Sequence, residues 1–173
     1  MKKNILHRFS ALFLSMLLIV TSVLILSGCD KNKPEEAVSR YFTAMFKTFD
    51  AQEFIDVMSP HRFEAQMKSA GVKEDQYKDN VKVMMDGVKS QIKTQKMGIK
   101  WQIKNAEYLE KDTYAELKSY YKDTFDVKIK DAKLVKAKIT KTISGLSEEI
   151  DYEFVVVKLD NKWYVDTAQS KHD

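Results

Sequence analysis

The sequence predicts an α+β domain in which N-terminal helices pack on a curved antiparallel sheet of about four strands. Two observations predict this class. Apolar residues recur at three- and four-residue spacing from residue 37 to about residue 95, which is typical of amphipathic helices. From residue 99 they alternate with polar residues, which is typical of strands. A block of helices followed by a run of strands favours an α+β architecture.

The front of the chain has the pattern of a secretory leader. Lys2, Lys3 and Arg8 precede an uncharged run of 18 residues from Phe9 to Leu26. A positive start, an apolar core and small residues at its end are the marks of a signal peptide. Because 18 apolar residues also just reach transmembrane length, a permanent single-pass anchor is the alternative.

Cys29 is the only cysteine and directly follows Leu26, Ser27 and Gly28. This stretch resembles the lipobox of bacterial lipoproteins. The resemblance implies that residues 1–28 are a cleaved signal helix and that the sulfur of Cys29 carries a diacylglycerol. Two acyl chains hold a protein durably on a bilayer, since each buried methylene contributes about 0.8 kcal/mol. We therefore expect a lipid-anchored protein on the extracytoplasmic face of the cell membrane, with residues 29–33 as a short tether.

Composition limits the functions open to the mature chain. Removing residues 1–28 leaves 145 of the 173 residues, a typical size for one domain. Three of the 29 basic residues lie in the leader and all 25 acidic residues lie beyond it, so the mature chain has a net charge near +1. A nucleic-acid-binding domain normally has a strong basic excess. We therefore expect no nucleic-acid partner, and with one cysteine no disulfide within the chain.

Local signals place the helices. Pro34 suits the first position of a helix, and an aromatic-rich apolar face extends from there to Phe49. Asp50 and Glu53 have the spacing of a capping box that starts a second helix. Ser59 and Pro60 predict the N-cap and first residue of a third helix, which Gly71 ends. A fourth helix extends to about Gln95.

The second half of the chain predicts strands with one interruption. Residues 99–103 alternate as a strand, and Thr113 with Glu116 can cap a short helix. Three further strands are predicted at Ala132–Ile143, Glu148–Leu159 and Lys162–Thr167. With Gly145 and Leu146 as a two-residue turn, Val135 faces Val156 and Ala137 faces Phe154.

Helices followed by a curved antiparallel sheet ending in hairpins resemble the nuclear transport factor 2-like, or cystatin-like, cone fold. Residues 34–46 and 159–165 look like the first helix and last hairpin of uncharacterised small bacterial lipoproteins with that fold. The resemblance implies one cone-like domain over residues 34–168, followed by a disordered tail at 169–173. Family members include enzymes, ligand binders and interaction modules, so the fold alone does not choose a function.

Enzymes of this fold place Asp, His and Tyr inside the cone. His61 follows a helix-initiating proline and is expected to be exposed, while His172 is penultimate in the chain. We find no metal-ligand cluster or phosphate loop and expect no cofactor and no metal. A pocket inside the cone would be lined by five aromatic residues, although ordinary core packing is the simpler interpretation: Trp101, Tyr114, Tyr152, Phe154 and Trp163.

The C-terminal half of strand 148–159 is apolar on both faces. Val155, Val157 and Leu159 are either covered by another element or form a surface for a protein partner, such as a second copy. The sequence favours a non-catalytic binding or interaction domain without a recognisable catalytic constellation. The alternatives are a small isomerase or dehydratase-like enzyme and a structural subunit of an envelope assembly.

Overall fold

The computed structural model describes residues 33–171, and the side chains among them as far as Thr167. The predicted signal peptide, the lipobox and Cys29 therefore lie outside the described residues, as do His172 and Asp173. The described residues belong to one compact unit. Among them, no helix is long and apolar enough to cross a membrane.

In the part of the chain that the structure describes, five helices accompany the sheet. α1 continues into a π-helical segment, α2 to α4 follow it, and α5 lies between the first two strands. Their bounds are α1 (Pro34–Thr43), the π-helical segment (Ala44–Thr48), α2 (Ala51–Val57), α3 (Pro60–Ala70), α4 (Glu74–Thr94) and α5 (Lys111–Phe125). Proline starts α1 and α3 as predicted, and Gly71 ends α3 with a φ of 65°, a conformation that favours glycine.

Two helix starts differ in detail from the capping predictions. The Asp50 carboxylate accepts a hydrogen bond from the Glu53 backbone N–H at 2.9 Å, but the Glu53 side chain lies 3.9 Å from Arg40. α5 begins at Lys111 with Glu110 as its N-cap. Thr113 therefore lies within the first turn of α5, and the predicted cap at this residue is wrong.

The strands form one curved antiparallel sheet in the order β1-β2-β3-β4, which confirms the predicted α+β class. They are β1 (Gly98–Tyr108), β2 (Asp131–Ile143), β3 (Leu146–Leu159) and β4 (Lys162–Lys171). β4 is longer than predicted, and its last residue pairs with Asp151. Residues 169–171 therefore belong to the sheet and not to a disordered tail, because β3 offers them backbone partners.

The β2–β3 hairpin is shifted by two residues from the predicted register. Val135 faces Phe154 and Ala137 faces Tyr152, with Ser144 and Gly145 in the turn. Both turn residues have positive φ, 51° and 83°, as in a type I′ turn, whose twist matches that of the flanking strands. A shift of two residues keeps every side chain on its face, so the predicted faces are retained although the predicted pairs are wrong.

Hydrophobic cores cover both faces of the sheet. On the first face, Val38, Phe42 and Val57 of α1 and α2 pack against β2, β3 and β4. On the second face, α5 and the segment after it pack against β2 and β3, with Tyr121, Ile129 and Val157 fully buried or nearly so. Because neighbouring residues of a strand point to opposite faces, Val156 belongs to the first core and Val157 to the second.

Candidate functional site

The structure brings together four of the five aromatic residues expected at a pocket. Tyr114 lies apart from them, in the second core. Phe42 is surrounded by the other rings, with centroids 5.9 Å from Trp101, 6.2 Å from Tyr152 and 5.2 Å from Phe154. The four that share the first core are Trp101, Tyr152, Phe154 and Trp163. They make the close contacts of a packed interior.

The three apolar residues of the expected partner surface have different environments. Val157 is 0% exposed and Leu159 is 7% exposed, because α5 packs over them. Of the two alternatives for these two residues, coverage by another element is the correct one. Val155 is half-buried and lies beside Leu134 in a groove of about 520 Å³ next to the start of α5.

The main polar feature of the interior is a group of four side chains that we call the Tyr121 network: Ser59, Arg62, Tyr121 and Asp166. Ser59 and Tyr121 are 0% exposed and Asp166 is 3% exposed, whereas the Arg62 side chain is 27% exposed. None of the four was expected to be functional from the sequence. The network joins the start of α3, the C-terminal half of α5 and β4.

Backbone geometry positions the two ends of the network. Met58 forms a parallel bridge with Val165, and the Ser59 N–H donates to the Val165 carbonyl at 2.8 Å. In β4, Val165 pairs with Val156 and Thr167 pairs with Val155, so Asp166 is the extra residue of a bulge. A bulge redirects side chains locally, which places the Asp166 carboxylate beside Ser59, α3 and α5.

The hydrogen bonds of the network have defined directions. Tyr121 donates its hydroxyl proton to Asp166 Oδ1 at 2.5 Å. Since a phenol has one proton, Ser59 must be the donor in the 2.6 Å contact between its Oγ and Tyr121 Oη. Arg62 Nε donates to the same Asp166 oxygen at 2.9 Å. Ser59 is the N-cap residue of α3, but its side chain caps no backbone N–H and serves the network instead.

Electrostatics keep Tyr121 protonated. Burial, followed by the charge of Asp166 and the hydrogen bond to it, raises the pKa of Tyr121 far above its ordinary value. Burial alone would lower the pKa of Arg62, but the hydrogen bond and charge of Asp166 outweigh it, so the Arg62 pKa is raised. A protonated tyrosine and a protonated arginine thus face one carboxylate, the arrangement that stabilises a buried negative charge.

Aromatic rings enclose the network. The Arg62 guanidinium lies 4.2 Å from the centroid of the Tyr120 ring, within the range of a cation–π contact. His61 is half-buried, with its ring centroid 5.3 Å from Phe125 and 6.3 Å from Tyr121. His61 was expected to be exposed; the proline before it does start α3, but α5 packs against that first turn.

The chemistry open to the network is limited because its groups bond to one another. Every buried side-chain nitrogen and oxygen within residues 33–167 has a hydrogen-bond partner. Phe125, which packs beside the network, also lines a surface depression, but none of the four network residues lines it. The other lining residues are Glu64, Ala65, Lys68, Ser69 and Thr124. Within the described part of the chain, no group of three His, Cys, Asp or Glu side chains is arranged to hold a metal ion. The geometry favours a structural polar core.

Alkaline pH should weaken the fold through Tyr41. Burial, and then the proximity of Tyr152, raises the pKa of Tyr41 to about 12, against about 10 in an unfolded chain. Below pH 10 both states are protonated. Between pH 10 and 12 only the unfolded state loses the proton, so stability should fall as pH rises, by up to about 1.4 kcal/mol per pH unit.

Urea unfolding of the wild type and of Tyr41→Phe between pH 9 and pH 11.5 measures this effect. The variant should show a shallower decline of the unfolding free energy, and its value at pH 7 corrects for effects that do not depend on pH. Parallel pH profiles would contradict the assignment of this pKa to Tyr41.

No protein-family model matches the chain, and no curated protein matches it.

Proposed function

We propose that the protein is a lipoprotein anchored through Cys29 to the extracytoplasmic face of the cell membrane, and that its domain is a non-catalytic interaction domain. The observation that carries the second part is the packing of the first face of the sheet. Phe42 is 1% exposed and occupies the region between α1 and the strands, where a ligand-binding or catalytic member of the cone fold would hold its ligand. Recognition is therefore assigned to the outside of the domain.

The Tyr121 network supports the same assignment. A tyrosine beside an aspartate is a reasonable acid–base pair when one of the two touches a substrate. Here the Tyr121 hydroxyl lies between Ser59 and Asp166, and the Asp166 oxygen already accepts two hydrogen bonds. The raised pKa of Tyr121 also opposes proton transfer near neutral pH. We therefore favour an interaction domain over an isomerase or dehydratase.

The tether fixes the working distance of the domain. Residues 29–33 separate the proposed lipid from α1, which begins at Pro34. Five extended residues reach at most about 18 Å. The domain would therefore remain next to the bilayer and meet partners that lie in, on or close to the same membrane.

Cys29→Ala should abolish incorporation of a labelled fatty acid into the protein, because the substitution removes the sulfur that would carry the lipid. Ser27→Ala is the matched control, because it keeps a small residue before the cysteine and should retain both label and membrane association. Undiminished labelling of Cys29→Ala would overturn the lipoprotein proposal. Membrane association without label in both variants would indicate the single-pass helix instead.

A further inference from the structure

The two edges of the sheet differ in how they are covered. At the β4 edge, Met58 and Ser59 occupy the backbone of Val165, and Arg62 reaches Asp166 beside it. At the other edge, β1 pairs with β2 on one side, and no described strand pairs with it on the other. An edge strand of 11 residues, none of which is fully buried, offers a row of backbone donors and acceptors to another strand.

Because β1 contains a bulge, a second copy of β1 that runs antiparallel to it can place residues of the same face opposite each other. Lys100 faces Thr140 and Trp101 faces Ile139 before the bulge, whereas Ala106 faces Val135 and Glu107 faces Leu134 after it. Trp101 and Ala106 therefore share the first face, since Ile139 and Val135 both belong to the first core. Lys100 and Glu107 share the second face. When the strand is reversed about its midpoint, residues of the same face and complementary character come opposite each other.

We propose that two copies of this chain associate by antiparallel pairing of β1 with β1, which joins their sheets into one of eight strands. In the register that fits, Lys100 lies opposite Glu107 of the second copy and Gln102 lies opposite Asn105. The first face then pairs Trp101 with Ala106 and Ile99 with Tyr108. The two-fold axis passes between Ile103 and Lys104, so every pair occurs twice, as a symmetric dimer requires.

The faces and the charges of β1 together select this register. A register centred on Ile103 would place Trp101 of the first face opposite Asn105 of the second face, although residues opposite each other in a sheet must share a face. A register centred on Gln102 would place Lys100 opposite Lys104 of the second copy, and like charges directly opposite each other destabilise a sheet. The proposed register instead brings Lys100 of each copy beside Glu107 of the other. Within its own chain Glu107 pairs with Lys136 at 2.8 Å and accepts a hydrogen bond from Asn105 at 2.7 Å, so Lys100 would join an existing ion pair at the edge of the sheet. The same register also covers Tyr108, which is 82% exposed in the single chain and is the most exposed large hydrophobic residue of the described part.

One edge strand provides a small interface. Interfaces of this kind fall below the standard size of stable complexes and are typically weak. The bulge at Lys104 interrupts the backbone ladder at the centre of the pair. We therefore expect a reversible dimer that forms with increasing concentration and that responds strongly to the charges at positions 100 and 107.

Sedimentation equilibrium of the full chain, purified in detergent, tests the proposal over a range of protein concentrations. The wild type should show a monomer–dimer equilibrium. Lys100→Glu and Glu107→Lys should each weaken dimerisation by about tenfold or more, equivalent to about 1.4 kcal/mol. Lys82→Glu is the matched control, since it makes the same charge change on the exposed side of α4 and should leave the equilibrium unchanged.

Exchanging the charges at positions 100 and 107 distinguishes an effect at the interface from a general effect of net charge on association. The double variant Lys100→Glu/Glu107→Lys restores opposite charges at both pairs and should dimerise like the wild type. An equimolar mixture of the two single variants should also dimerise, because each copy then supplies the charge that the other needs. Circular dichroism checks that each variant is folded.

A monomer at every concentration would overturn the proposal, as would folded single variants that dimerise normally. Failure of both the double variant and the mixture to restore association would overturn the register. None of these outcomes depends on lipid labelling of Cys29, so the dimer and the proposed anchor can fail independently.

Discussion

Asp166→Ala should lower the free energy of unfolding by about 3 kcal/mol. The substitution removes the shared acceptor of Tyr121 and Arg62 and leaves a buried hydroxyl and a mostly buried guanidinium without their partner. Unpaired buried polar groups are far more costly than the loss of an exposed ion pair. Urea unfolding at pH 7, followed by circular dichroism, gives the free energy directly.

Asp151→Ala provides the matched control. Asp151 also accepts a hydrogen bond from a basic side chain, Lys104 Nζ, at 2.9 Å, but its side chain is 46% exposed. Solvent replaces such a partner readily, so the unfolding midpoint of Asp151→Ala should stay close to that of the wild type. Similar losses of stability for the two alanine variants would show that the Tyr121 network has no special stabilising role.

Phe42→Ala should lower the free energy of unfolding by about 3–5 kcal/mol. The side chain is 1% exposed and contacts rings from α1, β1 and β3. Truncation removes its hydrophobic contribution and leaves a cavity that these rings cannot close without leaving their packed positions. Thermal and urea unfolding measure the loss.

Val83→Ala is the control for Phe42→Ala, because Val83 is 70% exposed on α4 and its truncation should change stability by less than about 0.5 kcal/mol. A loss below about 1 kcal/mol for Phe42→Ala would mean that the first face is loosely packed in solution. In that case the region beneath α1 would have room for a ligand, and the proposal of a non-catalytic interaction domain would lose its main support.

The sequence predicts the architecture well where local periodicity decides it. Helix starts at Pro34 and Pro60, the stop at Gly71 and the alternation in β2 and β3 all depend on residues close together in the chain. The hairpin register did not follow, because moving it by two residues preserves both faces and the turn rules allow more than one pair of turn residues. Ser144 has a positive φ, a conformation in which glycine is the expected residue, so the sequence does not mark position 144 as part of the turn.

The Tyr121 network depends on tertiary contacts that no local pattern contains. Ser59 has the position and identity of an ordinary N-cap, and Tyr121 falls on the apolar face of a predicted helix. The signal that was available is Asp166, a charged residue directly after the apolar Trp163, Tyr164 and Val165. A carboxylate in such a strand needs a buried partner, but the sequence does not say which residue supplies it.

The separations within the Tyr121 network bear on the order in which the domain folds. Its hydrogen bonds join residues 62, 45 and 104 positions apart, whereas the β2–β3 hairpin closes over a two-residue turn. Distant contacts require large loops to close before they contribute energy. We therefore expect the hairpin to form early and the network late. Asp166→Ala should then accelerate unfolding more than it slows folding, which stopped-flow kinetics can measure, so the network would act chiefly by prolonging the lifetime of the folded state.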